Sequence, residues 1–330
     1  MPKKLSKREL QRKTRQIYRA VGNAPQRIRT INQIKSAQFP YRSARTPKGV
    51  TPLEQRSYLG SDYPTVWSRR LPARALRLMS TEIVAKPLMS YIASPKRTGY
   101  DRLESLGKRQ PVIFVANHHS HADTPLLLTS IPIKWRKRLI VGAAADYFFN
   151  SRIGGSLSAL FIGAIPVERS KISRTSSDQI ASLINRGWSF MVFPEGGRSS
   201  DGWGQPFRAG AAYLSIKCKT PIVPIHLSGT GNILRKGKIW PSRSSTKVTF
   251  GNPIWPEENE NSRNYSKRIE SAVAELADEG DNDWWVAQKR KYSGQTPTLQ
   301  APDISSWRKA WDLPDTKDNS AGPKRRWPTI

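Results

Sequence analysis

Residues 112–131 read VIFVANHHSHADTPLLLTSI. The first five residues, 112–116, are apolar and predict a buried strand, and the apolar run after Pro125 predicts a helix over residues 125–131. A polar segment that contains three histidines separates the two. A short buried strand followed closely by a helix is typical of α/β proteins.

The chain on either side of this stretch repeats the alternation of apolar runs and helical periodicity. The predicted strands are residues 112–116, 139–143, 164–167, 190–193, 222–226 and 248–250. The predicted helices are residues 125–131, 148–160, 173–186, 209–217 and 264–279. Strands that alternate with helices predict an α/β fold, in which helices flank a central and mostly parallel sheet.

Polar clusters follow three of the predicted strands. Residues 117–123 follow the first strand, Glu168 and Arg169 follow the third, and residues 195–198 follow the fourth. In open α/β sheets, ligands bind outside the carboxyl ends of the strands. We therefore expect these clusters to meet in one active site.

The charge of the chain is concentrated at its start. The 330 residues carry a formal net charge of +30, and residues 1–50 hold 14 Lys and Arg but only one acid, Glu9. Residues 1–72 are predicted to form a basic extension, either a solvated tail or an electrostatic tether to an anionic surface. We expect no specific nucleic acid, because no recognition motif accompanies the charge. A basic nucleic-acid-binding or scaffold protein is the alternative from a different class.

Residues 73–258 are predicted to be the catalytic domain, and residues 259–330 a C-terminal helix with a Trp-rich tail that wraps the surface. Within residues 73–95, apolar side chains recur at helical spacing with an interruption at Pro87. This pattern predicts either a kinked amphipathic helix at a membrane interface or a helix that faces the core. The two alternatives stay open at this point.

Three features bear on the cellular compartment. No apolar run reaches the about 20 residues that a membrane span needs, and the basic start lacks the apolar segment of a signal peptide. The single cysteine, Cys218, excludes an intramolecular disulfide. We therefore expect a protein attached peripherally to the cytoplasmic face of a membrane.

The histidine cluster has three interpretations. In the first, His118 is a general base that Asp123, five residues further on, orients. In the second, His119, His121 and Asp123 bind a metal ion. The later histidine and cysteine of the chain have no ligand spacing, so we expect no metal. In the third, Asp123 only caps the following helix.

The same residues resemble a known family. Asn117-His118-x-Ser120-x-x-Asp123 is similar to the His-x4-Asp signature of the glycerolipid acyltransferases, which include lysophosphatidic acid acyltransferases. Three further family blocks match in order, namely GAIPVER at 163–169, FPEGGRS at 193–199 and VPIH at 223–226. The third block usually reads FPEGTRS, so Gly197 replaces a threonine. The resemblance covers about residues 100–255, and four blocks in order make it specific.

The resemblance implies that His118 takes the proton from an acceptor hydroxyl and that Asp123 orients its ring. Guanidinium forks match phosphate oxygens, and glycines let the backbone approach a ligand closely. The residues that the resemblance implies in substrate binding are Asn117, Ser120, Arg169, Glu195, Gly196, Gly197, Arg198, Pro224 and Ile225.

The function that the resemblance implies is O-acyl transfer in phospholipid biosynthesis. The acyl group moves from acyl-CoA or acyl-carrier protein to the hydroxyl of lysophosphatidate, and phosphatidate results. The thioester is a co-substrate, so no cofactor is expected. The same chemistry on glycerol 3-phosphate, another lysophospholipid or a glycolipid is the alternative. The expected partners are an anionic membrane surface, the thioester donor and a glycerophosphate-type acceptor.

Overall fold

A computed structural model of the chain describes residue 60 and residues 63–107, 109–167, 174–198, 203–234 and 240–300. The side chains of residues 174 and 175 are not included. The basic residues 1–50, Arg169 and the tryptophans beyond residue 300 lie outside this part of the chain.

Seven strands in the described residues form one sheet. They are β1 Pro95–Thr98, β2 Ile113–Ala116, β3 Leu139–Ala144, β4 Ala164–Val167, β5 Ser189–Val192, β6 Ile222–Ser228 and β7 Thr246–Phe250. The strand order is β1-β7-β6-β2-β5-β3-β4, and every pair is parallel except β6 with β7. The predicted α/β fold with a mostly parallel sheet is confirmed.

Helices precede the first strand, connect most of the later strands and follow the last one. They are α1 Leu71–Ser80, α2 Lys86–Ala93, α3 Asp123–Ser130, α4 Ile133–Arg136, α5 Ala145–Phe148, α6 Arg152–Leu157, α7 Arg174–Asn185, α8 Gly210–Cys218, α9 Ser262–Asp281 and α10 Trp284–Tyr292. Two π-helical turns continue helices, Thr81–Ala85 between α1 and α2, and Ser158–Ile162 after α6. No helix in the described part of the chain is both long and apolar enough to cross a membrane.

The six predicted strands all form, and β1 is an addition. Its sequence, Pro-Lys-Arg-Thr, has no apolar residue, so no apolar run indicates a strand. It lies at the edge of the sheet and pairs only with β7 among the described residues. An edge strand can be this polar because one of its sides has no neighbouring strand to pack against.

Alternate residues of the strands face two separate halves of the core. Phe114 and Ala116 of β2 join the cluster that α2 and α3 cover, whereas Ile113 and Val115 join the cluster under α7, α8 and α9. Tyr265 and Ile269 of α9 are fully buried in that second cluster. The core therefore continues past residue 258, the predicted end of the catalytic domain.

The structure places the interruption that was predicted at Pro87 in the turn before it. Pro87 lies in the first turn of α2, and the irregularity is the π-helical turn that precedes it. There the N–H of Lys86 bonds to the carbonyl of Thr81, five residues back. Such a turn inserts one extra residue, so the helix continues into α2 without ending at the proline.

The structure shows a second helix at the start of the predicted Trp-rich tail. Trp284 begins a helix, α10, that runs back along α9. Arg290 of α10 bonds to Asp278 of α9 at 2.6 Å, and Lys291 lies 2.9 Å from Glu275. These two ion pairs hold the helix against its neighbour.

Candidate active site

The ends of β2 and β6 are joined by the side chain of Asn117. Its amide nitrogen donates to the carbonyl of Leu227 at 2.9 Å, and its amide oxygen accepts from the N–H of Leu227 at 2.7 Å. Asn117 is fully buried. This pair of bonds holds the start of the His118 loop against the neighbouring strand.

Asp123 binds the His118 ring and the loop backbone with one oxygen. The side chain is fully buried, and its Oδ2 lies 2.8 Å from Nδ1 of His118. The same oxygen accepts the backbone N–H groups of His119 at 2.7 Å and Ser120 at 2.8 Å. These amides precede α3, so Asp123 does not cap that helix, and the capping interpretation is wrong. The carboxylate folds the loop and orients the imidazole together.

The imidazole of His118 is also held on its face. Its ring stacks on Phe193 with centroids 4.1 Å apart and an angle of 16° between the planes. The side chain is 18 % exposed. Because Asp123 occupies Nδ1, Nε2 is the ring nitrogen that can accept a proton.

Ser120 is part of the local turn. Its buried hydroxyl donates to the carbonyl of Leu234 at 3.0 Å and accepts from the N–H of Ala122 at 3.2 Å. These two bonds tie the His118 loop to residues that follow β6.

Glu195 follows β5 and is 2 % exposed. Its Oε1 accepts the backbone N–H of His118 at 2.8 Å, and its Oε2 accepts that of Gln205 at 3.1 Å. Burial is the main cause that raises the pKa of Glu195 to about 7, and the two backbone bonds oppose it. The carboxyl group therefore lies beside His118, in contact with its backbone.

The turn after Glu195 brings two arginines to the site. Gly196 has φ +75°, and a Cβ there would lie 2.7 Å from Nε of Arg208, so this position requires glycine. Gly197 has open space around it. Arg198 follows, half-buried. Backbone N–H groups and guanidinium groups at one turn suit a phosphate.

A family model for acyltransferases matches residues 97–228. This stretch is therefore similar to the acyltransferase domain of glycerolipid acyltransferases. The four blocks found in the sequence lie within this acyltransferase domain.

Named relatives are similar to part of this chain. The chain is 32 % identical over 145 residues to a chloroplastic 1-acyl-sn-glycerol-3-phosphate acyltransferase of Brassica napus, covering 43 % of this chain and 40 % of that protein. It is 29 % identical over 127 residues to the human alpha enzyme of the same name, covering 36 % and 41 %. The match therefore spans about two fifths of each relative's length.

The fold is similar to that of the 1-acyl-sn-glycerophosphate acyltransferase PlsC from Thermotoga maritima. The TM-score is 0.50 at 20 % identity, over 63 % of this chain and 84 % of that one. At 20 % identity, this similarity shows the fold alone.

Two of the remaining predicted site residues lie within a strand, and a third is not described by the structure. Pro224 and Ile225 are buried inside β6, beside Val115 and Ala116 of β2. Both support the strand that leads to His118, and their predicted contact with substrate stays a prediction. Arg169 lies outside the described residues.

The other histidines are neighbours of the His118 loop. His121 stacks on Tyr147 at 5.5 Å, and its Nε2 lies 3.2 Å from the tyrosine hydroxyl. Burial, followed by the charge of Arg198, lowers the pKa of His121. His226 is buried in β6, and burial lowers its pKa to about 4. No group of three or more His, Cys, Asp or Glu in the described ranges is arranged to hold a metal ion.

Sequence reasoning missed three residues of this site. Phe193 stacks on His118, Arg208 lies against Gly196, and Tyr147 contacts His121. Tyr147 follows β3 at the carboxyl edge of the sheet, where the position alone is a signal. Phe193 begins one of the matched blocks, but nothing in its type indicates a stacked histidine.

Proposed function

We propose that the chain is an O-acyltransferase that moves a fatty acyl group from a thioester to the hydroxyl of lysophosphatidate. The observation that carries the proposal is the 2.8 Å contact between Nδ1 of His118 and the buried Asp123. This contact leaves Nε2 of a partly exposed imidazole at the carboxyl edge of the sheet. The names of the relatives support lysophosphatidate as the acceptor.

The reaction needs one base and no covalent intermediate on the protein. Nε2 of His118 takes the proton of the acceptor hydroxyl as its oxygen attacks the thioester carbonyl. Asp123 stabilises the imidazolium that forms. The tetrahedral intermediate then expels the thiolate, which receives the proton from His118. Arg198 and Arg208, beside the Gly196 turn, support binding of the acceptor phosphate.

A membrane surface is the proposed location of the reaction. Side chains of α1, α2 and the turn between them form an exposed apolar stripe, namely Leu76, Met79, Ile83, Val84 and Leu88. A second stripe runs along α6 and the π-helical turn after it, and consists of Ile153, Leu157 and Phe161. Arg77 of α1 bonds to the carbonyls of Ala159 and Leu160, which makes the stripes neighbours.

Such a surface suits the boundary between lipid headgroups and acyl chains. Amphipathic helices with exposed apolar faces lie in that boundary, and basic charge favours anionic lipids. The net charge of +30 supports this partner. The exposed apolar stripe on α1 and α2 favours the interfacial interpretation of residues 73–95 over the core-facing one.

The test is acyl transfer by the purified chain, with oleoyl-CoA and acyl-carrier protein as donors. Lysophosphatidate, glycerol 3-phosphate and other lysophospholipids are compared as acceptors. We expect phosphatidate and free thiol in equal amounts, and a loss of at least about 100-fold in His118→Ala, since general-base catalysis contributes about 10²–10⁴-fold. Thermal unfolding of both proteins controls for folding. Equal rates in wild type and variant would overturn the assignment of His118.

A further inference from the structure

Glu195 is a buried carboxylate whose two oxygens are both bonded to backbone N–H groups. One belongs to His118, at 2.8 Å, and the other to Gln205, at 3.1 Å. The side chain is 2 % exposed. Burying a charge is costly unless it is hydrogen-bonded, and these two amides offset part of that cost, although burial still raises the pKa of Glu195 to about 7.

Glu195 bonds to the backbone N–H of His118, and the rate of the proposed reaction depends on the position of this residue. His118 is fixed at three points: Nδ1 by Asp123, the ring face by Phe193, and the backbone by Glu195. Phe193 and Glu195 lie two residues apart on the same strand end, so one segment supports both the ring and the backbone. A reacting group displaced by about 1 Å can lose about 100-fold in rate.

The second amide ties the histidine to another part of the fold. Gln205 lies in residues 203–207, and the neighbouring Gly204 donates its N–H to the carbonyl of Leu299 at 2.8 Å. Glu270 of α9 accepts the N–H of Phe207 at 3.0 Å. Glu195 therefore connects the His118 loop to a segment that α9 holds in place.

We propose that Glu195 is a positioning residue, which fixes His118 through its backbone amide and does not contact the acceptor. The inference rests on the proposed acyl transfer by His118. It assigns Glu195 a different role from the substrate contact that the family resemblance implies. The carboxylate is required because both of its oxygens accept a hydrogen bond, whereas the amide of glutamine would turn an NH2 group toward one of the two donors.

The chain offers a matched control for this role. Glu270, like Glu195, accepts a backbone N–H from residues 203–207, and it also bonds to the side chain of Gln300. Within the described part of the chain, Glu270 has no hydrogen bond to the His118 loop. Glu270→Gln therefore makes the same chemical change in the same segment and leaves the His118 amide bonded.

The experiment compares Glu195→Gln and Glu270→Gln in the full chain, in turnover and in amide hydrogen exchange. In Glu195→Gln we expect kcat to fall at least tenfold, with KM for donor and acceptor within twofold of wild type. The amide of His118 should exchange at least tenfold faster, followed in peptides that contain residue 118. Glu270→Gln should keep kcat and His118 exchange within twofold. Glu195→Asp keeps the charge but is too short to reach both amides, and it serves as a second variant should the first fail to fold.

The outcomes separate this inference from the proposed function. A raised acceptor KM with unchanged kcat would overturn the inference, because Glu195 would then contact the substrate. Unchanged exchange at His118 would overturn it as well. Faster exchange in Glu195→Gln, together with a wild-type chain inactive toward every donor and acceptor, would support the backbone role and overturn the acyl transfer.

Discussion

At the scale of single residues, the His118 loop is held mainly by contacts between side chains and backbone amides. Asp123 accepts two amides of the loop in addition to the imidazole, and Glu195 accepts a third. Carboxylates bonded to several N–H groups are strong and directional anchors. The loop is therefore rigid without belonging to a helix or a strand.

The two glycines after Glu195 differ in what they tolerate, which gives a first prediction. Gly196→Ala should destabilise the fold by about 1–3 kcal/mol, because a Cβ at φ +75° is strained and meets Arg208. Gly197→Ala should be neutral or stabilising by up to about 1 kcal/mol, because its surroundings are open and the unfolded chain loses freedom. Thermal unfolding of the two variants checks the contrast. Equal losses would contradict it.

A second prediction concerns His226 and acid. The pKa of His226 in the folded chain is about 4, below the ordinary 6.5. Between these two pH values, His226 is therefore protonated in the unfolded chain and neutral in the folded chain. The contribution of His226 to the free energy of unfolding is complete above pH 6.5 and is lost as the pH falls toward 4. From these two pKa values the loss between pH 7 and pH 5 is about 2 kcal/mol.

His226→Gln should remove this part of the acid sensitivity. Urea unfolding of wild type and variant at pH 7 and pH 5 measures it. We expect the difference between the two pH values to be about 2 kcal/mol smaller in the variant. An unchanged difference would mean that other groups account for the acid loss.

At the scale of elements, α1, α2 and the π-helical turn between them present one apolar face to solvent. Ile83 is 67 % exposed and Met79 is 58 % exposed. The helix is nevertheless fixed to the domain, because Arg77 is buried and donates to three backbone carbonyls, those of Ser68, Ala159 and Leu160. An element anchored on one face and apolar on the other is suited to a second, non-aqueous environment.

The third prediction follows from that exposed stripe. Met79→Ser combined with Ile83→Ser should lower binding to phosphatidylglycerol vesicles at least tenfold, since each buried apolar side chain contributes about 1.5–3 kcal/mol. Thermal unfolding should change little, because both side chains are exposed. Tyr213→Ser is the control, because Tyr213 is exposed on α8, at the other face of the sheet. Vesicle co-sedimentation measures the effect, and equal binding by all three proteins would contradict the proposed surface.

At the scale of the whole molecule, the helix after the last strand completes the core. Tyr265 and Val273 of α9 are fully buried, and Ile269 is 1 % exposed. The hydroxyl of Tyr265 also donates to the carbonyl of Ile254 at 2.8 Å. One half of the core therefore depends on residues outside the predicted catalytic domain of 73–258.

The fourth prediction tests this dependence by truncation. A chain that ends at residue 258 loses four large buried side chains of α9, namely Tyr265, Ile269, Val273 and Leu276. Each contributes about 1.5–3 kcal/mol, against a typical total stability of about 5–15 kcal/mol. We expect it to be unfolded or insoluble. A chain that ends at residue 300 keeps every contact described above and should unfold cooperatively. Circular dichroism and thermal unfolding of the two compare them, and a folded shorter chain would contradict the role of α9.

The sequence by itself determined the sheet, the site at its edge and the pairing of His118 with Asp123. These are visible because apolar periodicity is local and because the two residues lie only five positions apart. β1 was missed because an edge strand of polar residues has no such period, and α10 was missed because its ion pairs to α9 come from the tertiary fold.

Only the tertiary structure decided the contacts between residues distant in the chain. Glu195 lies 77 positions from His118, and Asn117 lies 110 positions from Leu227. In each pair the partner is a backbone amide or carbonyl, which every position along the chain offers. Residue types cannot identify such a partner, so the way the fold holds its histidine is seen only when the strands lie side by side.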